Sequence, residues 1–132
     1  MSIAALHGTL LLYTQEKANL TSTLMGIMDN LNVANLNSTE LMEQTGVKRA
    51  YYNQKAQENP DYADSTEYEI QTDAVEADYQ LQLAQINSWE SQLQTEKGNC
   101  ETELKVITAY EESWTTLLKN NIKKDFTYGQ SS

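Results

Sequence analysis

A few side chains in this 132-residue sequence have the chemistry for a reaction or a metal, and their spacing decides whether they use it. His7 is the lone histidine and would act as a general acid or base only beside a nucleophile or a paired carboxylate. Neither stands at a recognisable spacing, so His7 reads as an ordinary helix histidine. Cys100 is the lone cysteine and cannot close a disulfide within the chain. It falls on an apolar heptad series, which marks a buried structural thiol rather than a nucleophile. Asp61, Asp64, Glu67, Glu69 and Asp73 gather the oxygen ligands that calcium takes, but the alternation and central glycine of a calcium loop are missing. Trp89 and Trp114 read as packing anchors. The expectation is no catalytic residue, no cofactor and no metal.

The elements that carry these residues follow from two heptad patterns. Positions 3, 6, 10, 13, 17, 20, 24, 27, 31, 34, 38 and 41 are Ile, Leu, Leu, Tyr, Lys, Leu, Leu, Ile, Leu, Ala, Ser and Leu, ten of them apolar. Steps of three and four make one stripe of a helix that packs on another helix. Leu12, Met25, Met28 and Val33 are expected to broaden it. Asn30, Asn32, Asn35 and Asn37 lower helix propensity, and Asn37 with Glu40 resembles an N-cap pair, so a kink or restart is expected within 35–46. In the second half, stepping by seven from Tyr79 gives Ile86, Leu93, Cys100, Ile107 and Trp114. Val75, Trp89, Tyr110 and Leu117 are expected to continue that stripe, with Gln82, Glu96 and Glu103 interrupting it and Leu83, Leu104 and Leu118 compensating.

Between the patterns lies Pro60, the only proline. It removes a backbone donor and pushes Asn59 out of the helical region, so the first helix ends near Glu58. Asn59, Pro60 and Asp61 supply turn chemistry, and Ser65 or Thr66 can cap a second helix. The reading is an all-α chain: a helix over 3–58, a turn over 59–65, a helix over 66–126 and a short tail over 127–132 behind the stop signal Gly129. Two helices of matched length, about 80–90 Å at 1.5 Å per residue, favour a long antiparallel coiled-coil hairpin that assembles through helical bundles.

Composition narrows the partners. Asn, Gln, Thr and Ser make up 45 residues and the formal net charge is -10, which disfavours nucleic acid and anionic membrane. Mean hydropathy is -0.62, and no window approaches 18 consecutive apolar residues, so no membrane span is expected. The N-terminus lacks the positive region of a cleaved secretory signal, so export, if it occurs, is expected to leave it uncut. No basic residue lies between Lys55 and Lys97, whereas Lys119, Lys123 and Lys124 sit near the far end, a charge asymmetry suited to head-to-tail contact.

Asn59-Pro60-Asp61 in the turn, followed by a second helix ending in "LLKNNIKKDF", resembles the needle and filament subunits of type III secretion. That resemblance implies a subunit exported without a cleaved signal, polymerising helically outside the cell or at its surface. Beside it stands the alternative of an intracellular coiled-coil adaptor or secretion chaperone. On the leading reading the partner is further copies of the chain. The assembly interface is then expected at Ile3, Leu6, Leu10, Tyr13, Leu24 and Ile27 of the first stripe, and at Tyr79, Ile86, Leu93, Ile107 and Trp114 of the second.

Overall fold

The computed structural model describes the backbone of residues 2–131 and the side chains of residues 2–126. Helix α1 spans Ile3–Glu58, the single-turn α2 spans Pro60–Ala63, and α3 spans Thr66–Ser131. No strand occurs among the described residues. The long helices α1 and α3 pack on each other as an all-α helical hairpin.

The reversal is built by local caps. Asn59 is extended (φ -135, ψ 95), and its Oδ1 accepts from the Tyr62 amide at 3.3 Å while Pro60 opens α2. Proline costs nothing at that position because its missing N–H would have had no partner in the helix. The Ser65 hydroxyl then accepts from the Tyr68 amide at 3.1 Å and caps α3. The expected turn over 59–65 is therefore partly helical, and of the two cap candidates Ser65 takes the role.

The expected restart within 35–46 is absent: α1 is helical without interruption there, and Asn37 caps nothing. Asparagine costs a helix only some tenths of a kcal/mol per residue. Burial of Ala34, Leu41 and Thr45 on one face outweighs that. The expected tail also differs. The α3 backbone stays helical to Ser131, and residue 132 lies outside the described residues. A lone Gly129 costs a helix about 1 kcal/mol, and no proline follows to end it.

Contacts divide the chain into two compact units. Unit 1 joins Met1–Met28 to Thr95–Ser132, and unit 2 comprises Asp29–Gln94. In unit 1, Tyr13 packs against Tyr110 and Trp114 with ring centres 5.7 and 6.2 Å apart, and the Cys100 thiol donates to the Leu20 carbonyl at 3.2 Å. Rising α1 numbers meet falling α3 numbers, so the segments are antiparallel. In unit 2 the same sense is fixed by Arg49 on Glu76 and by the Tyr68 hydroxyl donating to Asn53 Oδ1 at 3.3 Å. Several threonines, among them Thr21, Thr23, Thr102 and Thr116, donate their hydroxyls to the carbonyl four residues back.

Candidate assembly surface

The α1 stripe read from the sequence is the side that packs. Leu6, Ile27, Ala34 and Leu41 are buried, Leu6 completely at 0% exposure, and the other eight positions are half-buried. On α3, Leu93, Cys100 and Ile107 are buried, and Tyr79, Ile86 and Trp114 are half-buried. All eleven residues assigned to an assembly interface thus lie in the seam inside one chain. Pairing one helix with the other buries Leu6, Ile27, Leu93 and Ile107 and leaves the other seven half-buried.

Two parts of the expected stripe need correction. Leu12, Met25, Met28 and Val33 do not broaden the seam: all are exposed, Leu12 at 66% and Met25 at 62%. On α3, Tyr110 and Leu117 are exposed, and the seam instead runs through Lys97, Leu104, Glu111 and Leu118. Glu96 and Glu103 therefore interrupt nothing, because they face away. The seam also holds an ion pair. Lys17 Nζ donates to Glu111 Oε1 at 3.3 Å, and the Thr14 hydroxyl lies 3.1 Å from Glu111 Oε2 and 3.0 Å from the Leu10 carbonyl. Both side chains keep access to water, Lys17 at 39% and Glu111 at 22%, so the pair adds little stability.

Unit 2 is fastened near the reversal by aromatic and charged contacts. Arg49 donates from Nε and Nη2 to Glu76 at 2.6 and 2.9 Å and lies over the Tyr79 ring at 5.1 Å. The hydrogen bond to Glu76 raises the Arg49 pKa, and the reciprocal bond holds the Glu76 carboxyl below its ordinary value of 4.5. Tyr62 is buried, stacks edge-on with Tyr68 at 5.3 Å, lies under Lys55 at 4.3 Å, and donates to Gln71 Oε1. Burial pushes its phenol pKa up. A cavity of about 220 Å³ lies among Arg49, Tyr52, Tyr68, Val75 and Glu76, and Trp89 borders an open groove of about 400 Å³ with Asn37, Gln44 and Gln85.

His7 is exposed and Cys100 is buried. Among the described residues no cluster of three or more potential metal ligands occurs, and no helix is long and apolar enough to cross a membrane.

What the surface does offer is exposed apolar side chains. Unit 1 shows Leu11, Leu12, Met25, Met28, Val106, Tyr110 and Leu117; unit 2 shows Val33, Leu36, Met42, Val47, Tyr51, Ile70 and Leu81. Sequence reasoning placed several of these in the seam. Stepping by seven from Leu11 reaches Ala18 and Met25, and from Thr14 reaches Thr21 and Met28, a second phase that the stronger first stripe conceals. Comparison with protein-family models, curated proteins and solved structures finds no match to this chain.

Proposed function

We propose that the chain is a non-enzymatic structural subunit that assembles with copies of itself, as part of a bacterial extracellular filament or secretion apparatus. One observation carries the reading: with both heptad stripes packed inside the hairpin, large apolar side chains still stand in water along both long helices. Apolar surface left wet costs roughly 25 cal/mol per Å², and contact with a second molecule recovers it. The lone exposed histidine and lone buried thiol offer no such support to a catalytic reading. The turn Asn59-Pro60-Asp61, with its cap on a one-turn helix, and the basic end of α3 keep the filament-subunit resemblance as the working frame for location and export.

Sedimentation velocity over a hundredfold range of concentration, followed by negative-stain microscopy, tests the reading. Growing species or fibres support it. A monomer at every concentration overturns it, and a monomer that binds one defined foreign protein favours the adaptor alternative.

A further inference from the structure

Charge is shared unequally between the units. Of the 19 carboxylates and 9 basic side chains, unit 2 holds twelve and three, and unit 1 holds seven and six. Formal charge is therefore -9 on unit 2 and -1 on unit 1. Copies of unit 2 repel, and copies of unit 1 scarcely do. Within unit 1 the α1 segment is the extreme case. Of its exposed residues from Ala4 to Met28, only Glu16 carries a formal charge, and two residues of helical rotation put Glu16 on the opposite side of α1 from Ala18.

The uncharged side carries Leu11, Thr14, Ala18, Ser22, Met25 and Met28, all exposed, and all but Ser22 belong to the second heptad phase. It borders an open groove of about 580 Å³ lined by Thr14, Ala18, Ser22, Met25 and the Lys17–Glu111 pair. The stripe is also complementary to itself. Leu11 and Met25 each stand seven residues from Ala18, and Thr14 and Ser22 each stand four. Turned end for end about Ala18, it sets Leu11 on Met25 and Thr14 on Ser22, each contact occurring twice, and Ala18 on Ala18 once at the axis. That is what a two-fold interface between identical chains requires. Alanine at the axis lets the helices approach closely. A parallel pairing would instead set Asp29 and the acidic residues after it beside their own copies.

Resting on the self-assembly reading, we propose that the elementary contact is an antiparallel, two-fold pairing of α1 segments from two copies, centred on Ala18 and formed by unit 1. The occupant of the groove is a second copy of this chain.

Disulfide trapping in a Cys100→Ala background tests it. Ala18→Cys should cross-link to itself under mild oxidation, and a mixture of Leu11→Cys with Met25→Cys should cross-link to each other. Leu11→Cys alone should not, because its two copies would lie about 20 Å apart along the pair. Ala18→Glu should weaken association at least tenfold in sedimentation with unchanged helicity by circular dichroism, since Ala18 is exposed and its replacement leaves the seam alone. Self-linking of Leu11→Cys would show a parallel pair and overturn the proposal. So would an Ala18→Glu protein that assembles like the unmodified chain, which would leave self-assembly standing through another face. An unmodified chain that stays monomeric removes the underlying reading as well.

Discussion

Unit 2 carries twelve carboxylates against three basic side chains and unit 1 carries seven against six, although one three-and-four seam serves both. The seam residues are alike in kind: Leu41 and Leu93 are buried in unit 2, and Leu6, Cys100 and Ile107 in unit 1. What differs is the outside. Unit 2 adds the Arg49–Glu76 pair, the Tyr62–Tyr68 stack and dense acidic charge near the reversal. Unit 1 adds a nearly uncharged α1 surface with exposed Leu11, Met25 and Met28. Seam packing thus makes the fold, and on the proposed self-assembly the charge laid over it would decide which surface another copy approaches.

The largest effect should come from breaking what the units share. Leu93→Asp in unit 2 and Ile107→Asp in unit 1 each place a carboxylate at a buried seam position. Leaving one unpaired there costs roughly 3–5 kcal/mol, a large part of the stability of a chain this size. Both variants should lose thermal stability, and with it assembly, in circular dichroism and sedimentation. A variant that melts like the parent would show that its residue faces solvent.

Next in size should be a response that separates the units. Raising ionic strength from 0.01 to 1 M shortens the Debye length from about 30 to about 3 Å and screens the repulsion between acidic units. Self-association should strengthen with salt, most steeply below about 0.1 M. If salt dissociates the assembly instead, ion pairs hold the copies together, and acidic and basic ends meet in preference to apolar stripes.

A smaller effect belongs to unit 2 alone. Because the Glu76 pKa is depressed in the fold, the pair's contribution is complete above the ordinary carboxylate value of 4.5 and disappears as pH falls through the lower folded value. Arg49→Ala should lower the melting temperature modestly at pH 7 and leave it unchanged in acid below that range. An equal loss at both pH values would assign Arg49 its role through packing on Tyr79, not through charge. The smallest change is expected from Pro60→Ala. Alanine is tolerated at the start of α2, and the lost restriction of the unfolded chain is worth roughly 0.4–1 kcal/mol. Both long helices should persist by circular dichroism.

The hairpin and its reversal were legible because each rests on a strong local rule: heptad spacing for the seam, and proline after asparagine for the end of α1 at Glu58. Legibility failed where weak local preferences met packing. Four asparagines and Gly129 argued for breaks that the helices do not make, because a few tenths to 1 kcal/mol of propensity is smaller than the burial of one leucine. On α3, Tyr110 and Leu117 satisfied the periodicity, yet Glu111 and Leu118 occupy the seam, since one residue of phase rotates a helix by only about 100° and a wide stripe fits either. The candidate surface was harder still. Apolar residues on two sides of α1 merge into one broad stripe on paper, and only the packing of α3 shows which side remains open.

The threonines bear on the water at this surface. Thr21 gives its hydroxyl proton to the Lys17 carbonyl at 2.8 Å, and Thr14 has acceptors both in its helix and on Glu111. A hydroxyl satisfied in this way needs no solvent molecule as acceptor, so a neighbour that covers it strands no donor. The chain can therefore be rich in polar residues by composition and still present a face from which hydration is readily removed. Contacts closing over Thr14 and Thr21 should be dry, holding few of the bridging waters that an amide- and hydroxyl-rich sequence would otherwise bring to an interface.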